Sequence, residues 1–178
     1  MGTLAGSLVI TEIMNDPQAL SDDVGEWVEV YNPGSTPLDL RGLRLSNARL
    51  QAVTLERSTP FVVAPRGYVV FARSDMGPDG MPRWVYGVGL ASNTLTFSNS
   101  AAGDSVILDL GSSSTEIDRV TYSEAAMWPY TSGRAKSLRP TAISSVANDM
   151  ANNWCNAPTR WMGTGDYGSP GQPNPSCP

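Results

Sequence analysis

The sequence predicts an all-β chain folded as an immunoglobulin-like antiparallel β-sandwich, with a small barrel as the alternative closure and a loop-rich, disulfide-tied C-terminal extension. Three observations predict it. Short runs of β-branched and aromatic residues recur along most of the chain, each closed by Gly, Pro, Asn or Asp. The 17 Gly and 14 Pro are spread rather than clustered, which suits many strands joined by turns, and no helical heptad interrupts them. The two cysteines, Cys155 and Cys177, both fall in the Pro- and Gly-rich last stretch.

At 178 residues the chain holds one sandwich with its own core and is too short for two comfortable domains. The expected organisation is a small, flexible tail over residues 1–7, the sandwich over 8–140 and an extension over 141–178 packed on the same domain.

The first strand is Leu8-Val9-Ile10-Thr11-Glu12-Ile13-Met14, stopped by Asn15-Asp16-Pro17. An acidic loop, Ser21-Asp22-Asp23, leads to the strongest single signal, Gly25-Glu26-Trp27-Val28-Glu29-Val30-Tyr31-Asn32-Pro33-Gly34, a strand bracketed by turn residues. Residues 36–47 alternate on both sides of Gly42, so that Leu38, Leu40, Leu43 and Leu45 face one core and the glycine bends the strand between sheets. Runs at 53–55 and 61–63 follow, and then 67–73, apolar on both faces as a central strand requires.

A turn over 74–82 returns into 84–88. Its Asp75 and Asp79-Gly80 lack the ligand alternation of a calcium loop. Strands at 95–99, 104–110 and 116–122 complete the set, the last two forming a hairpin, with Val106, Leu108 and Leu110 as an inward row. Beyond Tyr122 the periodicity stops. Residues 137–140 suit an edge strand and 149–154 at most a helical turn.

These residues resemble the bacterial lamin-tail domains. The resemblance rests on Ile10-Thr11-Glu12-Ile13-Met14, the 25–34 strand, Leu38-Asp39-Leu40-Arg41-Gly42-Leu43-Arg44-Leu45-Ser46, Ala64-Pro65-Arg66-Gly67-Tyr68-Val69-Val70 and Gly103-Asp104-Ser105-Val106-Ile107-Leu108. It continues through Asp118-Arg119-Val120-Thr121-Tyr122, Ser137-Leu138-Arg139-Pro140, Asn153-Trp154-Cys155 and Gly168-Ser169-Pro170-Gly171-Gln172-Pro173-Asn174. Thr11, where Asn is often seen, and Arg139-Pro140, in place of a common Glu-Arg pair, depart from the pattern. The resemblance implies a non-catalytic immunoglobulin-like module of a secreted or surface-attached bacterial protein, sometimes appended to nucleases or other hydrolases. It carries no catalytic residues to transfer.

Composition narrows the chemistry. With no His, imidazole catalysis and His-ligated zinc are excluded, and there is no nucleophile elbow, Walker loop or dinucleotide fingerprint. Twelve basic against seventeen acidic residues give a net charge of −5, which repels nucleic acid and anionic membrane on average, and no apolar run is long enough to span a bilayer. A hydrolase working through paired carboxylates is the remaining catalytic class, and it needs two acids across a cleft. An even pair of cysteines in a loop-rich tail favours a disulfide and hence an extracytoplasmic site, although residues 1–7 carry no secretory signal. Closing that loop of roughly 23 residues stabilises by about 3 kcal/mol.

Three ligand sites are expected from residue type. Glu12, Asp22, Asp23 and Glu26, in a stretch that also holds Asp16 and Glu29, supply oxygens for Ca²⁺, the one cofactor considered; solvated or Arg-paired acids are the plain alternative. Trp27 and Tyr31 share a strand face, as core packing or as an exposed platform for a sugar or protein. Arg41 and Arg44, with Arg49, are the densest basic stretch and the candidate grip on nucleic-acid phosphates, unless neighbouring acids pair them. The expected function is a binding or scaffold module contacting protein or cell-surface glycan, with a nucleic-acid-binding accessory domain and a carboxylate hydrolase as alternatives.

Overall fold

A computed structural model describes residues 6–75, 83–87, 95–111, 115–161 and 165–178. Most of the expected tail, the 76–82 turn with Asp79 and Gly80, Val88 and the hairpin apex over 112–114 lie outside the described residues.

Twelve strands are described: β1 (Val9–Met14), β2 (Trp27–Tyr31), β3 (Leu38–Asp39), β4 (Leu43–Ser46), β5 (Ala52–Thr54), β6 (Val62–Val63), β7 (Tyr68–Ala72), β8 (Arg83–Val85), β9 (Asp104–Leu110), β10 (Thr115–Tyr122), β11 (Lys136–Leu138) and β12 (Trp154–Asn156). They form a six-stranded sheet in the order β12-β11-β1-β2-β7-β8, a four-stranded sheet β10-β9-β4-β5 and a small β3-β6 pair. All pairings are antiparallel except β7 with β8.

Between the two large sheets lies the main core. Ile10, Ile13, Val28, Val30, Val69 and Phe71 meet Leu43, Leu45, Val106, Leu108, Val120 and Tyr122 there, all essentially without exposed surface. The inward leucines fall as their alternation requires, and Gly42, at φ 81°, makes the bend between β3 and β4 that a side chain would resist.

A second cluster covers the outer face of the six-stranded sheet. Met14, Trp27, Val70 and Ala72 pack there against Ala135, Ala157 and Trp161 of the C-terminal half. Alternation along β2 and β7 thus buries both sets of side chains, which accounts for the apolar run at 67–73. Gly168 lies so close to Trp27 that a Cβ would stand 2.8 Å from the indole Cζ2. The disulfide Cys155–Cys177 ties the end of the tail to β12.

Four expectations change. Residues 95–99 form no strand: Leu95 and Phe97 are buried by an irregular segment whose backbone bonds to side chains instead. The 137–140 segment is not an edge, because β11 lies between β1 and β12. The extension supplies β12 itself, a strand too short to show periodicity. The acidic loop contains a single helical turn, α1 (Asp22–Gly25), so the second strand begins later than Gly25.

Candidate functional site

The four carboxylates offered as calcium ligands are not brought together, and among the described residues no three His, Cys, Asp or Glu side chains converge. Glu12 lies under the C-terminal tail, where Ser169 N donates to it at 2.9 Å. Glu26 is buried on the other side of β2, accepting from Thr96 Oγ1 at 2.7 Å, Phe97 N at 3.1 Å and Arg73 Nη1 at 3.2 Å. Burial raises its pKa to about 7 against the pull of those donors. Asp23 shares the Arg73 guanidinium at 2.7 Å, and Asp22 accepts from Asn99. Arg73 and Asn99 therefore engage these loop acids directly.

The tail roofs a second set of acids. Glu12 and Glu29 are opposite one another across β1 and β2, and both are fully buried. Thr11 Oγ1 and Gly171 N each donate to Glu29 at 2.7 Å. Asn174 Nδ2 bridges Thr11 O and Leu138 O, and Asp166 accepts the backbone N–H groups of Gln18 and Ala19. Burial raises both glutamates, and the neighbouring Glu12 charge raises Glu29 further. These acids fasten the tail to the sheet.

The two residues of the aromatic pair part company. Trp27 is core, 1% exposed and edge-on to Trp161, which overturns the platform reading for it. Tyr31 is half-buried beside Tyr68, with ring centroids 4.6 Å apart. The candidate phosphate-gripping arginines are ion-paired: Arg41 with Asp39 at 2.6 Å, Arg44 with Asp109 at 3.0 Å and Arg49 with Asp104 at 2.9 Å. Cross-strand register sets Arg44 opposite Asp109, which sequence alone does not reveal.

What sequence reasoning missed is the loop end of the sandwich where β4 finishes and β9 begins. Asp104 is its hub, accepting from Ala48 N, Ser98 N and Ser105 N at 2.8 to 3.0 Å besides its ion pair with Arg49. Asn47 Oδ1 accepts Arg49 N and Gln51 N, and the turn they make holds Leu50 at φ 64° with 86% of its surface exposed. Beyond β10, a turn closed by Met127 N to Glu124 O holds Met127 at φ 61° and 87% exposed. Tyr130 donates its hydroxyl to Asn99 O nearby. Two large apolar side chains are thus presented on backbone that ordinarily favours Gly or Asn. Asp23 and Glu124 are exposed at this same end. No local signal marks either tip, since neither Leu50 nor Met127 is a Gly, Asn or Asp and Ala126-Met127-Trp128 reads as a plain apolar run.

A family model described as the Lamin Tail Domain matches residues 3–124. No curated protein matches the chain.

Proposed function

The chain belongs to the lamin tail domain family, and from that premise we propose that it is a non-catalytic binding module of a secreted or cell-surface protein, with a protein as its partner. The observation that carries this is the pair of exposed apolar tips, Leu50 and Met127, held in left-handed backbone by bonded turns at one end of a rigid sandwich. Hydrogen-bonded turns hold both side chains out to solvent, where they add nothing to the core and are free to meet a partner. The disulfide supports an oxidising compartment. The buried acids support the non-catalytic reading, because Glu12, Glu26, Glu29 and Asp104 are all engaged by donors of this chain.

A glycan is the second reading, favoured by the half-exposed Tyr31–Tyr68 ring pair. The pairing of Arg41, Arg44 and Arg49 with aspartates weighs against nucleic acid.

The test compares the chain with a Leu50→Asn, Met127→Asn double variant, whose asparagines suit the same backbone. Both are immobilised and exposed to envelope proteins, a glycan array and labelled DNA. A protein retained by the native chain and lost from the folded double variant supports the proposal. Retention of glycan alone moves the site to Tyr31 and Tyr68, and DNA held at physiological salt favours the accessory-domain alternative.

A further inference from the structure

Lys136 is the only lysine of the chain. It opens β11 and is 3% exposed, a burial lysine avoids unless something engages its nitrogen. Its Nζ donates to Asn15 Oδ1 at 2.6 Å. Asn15 follows the last residue of β1 and is 1% exposed. The other side of its amide is held too, Nδ2 donating to Ser98 O at 3.0 Å, so the amide plane is fixed from both ends.

The rings of Tyr122 and Tyr130 stand beside Nζ with centroids at 4.7 and 5.4 Å. The carboxylates whose fields reach it are those of Asp16 and Glu124. Burial outweighs them and brings the ammonium down to about 8 from its ordinary 10.5, so a neutral amine is accessible near neutral pH. The hydrogen bond holds the desolvated amine at the oxygen of a fixed carboxamide, one bond from Cγ. Turning the Nζ lone pair toward Cγ is the only local motion that attack needs, and such held proximity lowers an activation barrier.

We propose that Lys136 and Asn15 form an intramolecular isopeptide crosslink joining β11 to the end of β1. The Nζ lone pair attacks Cγ of Asn15, forming the new C–N bond. The Cγ–Nδ2 bond then breaks, and one proton passes from Nζ to the departing nitrogen, which leaves as ammonia. Nothing is oxidised or reduced and no co-reactant is consumed. The event occurs once per chain and is not turnover, so it stands independently of the partner-binding reading. With Cys155–Cys177 it gives the C-terminal half two covalent ties, one to the first strand and one within the extension.

The decisive measurement is the intact mass of the native chain, followed by peptide mapping after reduction. The expected mass is one ammonia below that of the sequence, beyond the two hydrogens lost at the disulfide. The map then contains a branched peptide joining the Asn15 and Lys136 segments. An amine reagent applied after denaturation leaves Lys136 unlabelled, and Lys136→Arg restores the missing ammonia. A native chain at full mass, with Lys136 labelled in a linear peptide, overturns the proposal. So does an ammonia loss that persists in Lys136→Arg without a branched peptide, which would mark cyclisation of an asparagine elsewhere. The native chain alone decides the first of these outcomes, whether or not the variant folds.

Discussion

Glu12 on β1 and Glu29 on β2 face each other across the strand pair with no exposed surface, roofed by the segment that carries Ser169 and Gly171. Two acids so placed do not ionise together at little cost, and desolvation and mutual repulsion both favour a retained proton. The folded chain then holds protons that the unfolded chain, with ordinary values near 4.5, has released. Stability is therefore full below that value and falls as pH rises through the native range. Glu26, raised to about 7, adds to the same trend. Denaturant melts are expected to show the chain less stable at about pH 8 than at about pH 5, by on the order of 3 kcal/mol. Glu12→Gln flattens that slope; an unchanged slope would mean the pair ionises freely.

Removing the tie at Cys155 and Cys177 tests how firmly the tail is seated. A Cys155→Ala, Cys177→Ala variant is expected to lose about 3 kcal/mol, on the chain-entropy estimate for a loop of this length. Limited proteolysis of that variant should cut first within 165–178, since Ser169, Gly171 and Asn174 then hold the tail without a covalent end.

Asp118 joins β10 to β1 from beneath the surface, accepting Ile10 N at 2.7 Å and Asn148 Nδ2 at 2.8 Å. Burial raises its pKa to about 6 despite those donors. Asp118→Ala leaves a buried backbone N–H without its partner and is expected to cost roughly 2–3 kcal/mol. Urea melts read the loss directly, and Asp118→Asn, which keeps one acceptor, should lose less.

At Leu50 the expected sign is the opposite. Its left-handed backbone costs a non-glycine residue free energy, so Leu50→Gly should raise stability by about 0.5–1 kcal/mol, net of the added freedom of the unfolded chain. The same change removes one of the two apolar tips. A variant that is more stable yet weaker in partner binding is the outcome this geometry implies.

Melts in EDTA and in millimolar Ca²⁺ are expected to superimpose. Arg73 and Asn99 engage Asp23, Glu26 and Asp22, and Glu12 is occupied under the tail. A rise specific to Ca²⁺ would show that the cation displaces those partners, because only ligand bound to the native state moves the midpoint.

The strand set was legible wherever side chains repeat with period two. Leu43 and Leu45 on β4, Val106 and Leu108 on β9, and the two-faced run of β7 all pack as their spacing requires. Gly42 marked its bend, and the cysteine pair marked its disulfide. Three-residue elements such as β12 carry too few alternations to be seen, and Phe97 looked like strand because buried irregular backbone has the same apolar composition.

The sequence by itself determined the fold class, the inward leucines and valines and the absence of imidazole chemistry, because these follow from local alternation and residue inventory. Tertiary structure alone decided what each polar side chain does. Glu12 meets Ser169 across 157 positions of chain, Ile10 meets Asp118 across 108 and Lys136 meets Asn15 across 121. Such partners are chosen by strand order and register, and no local pattern records which strand will lie beside which.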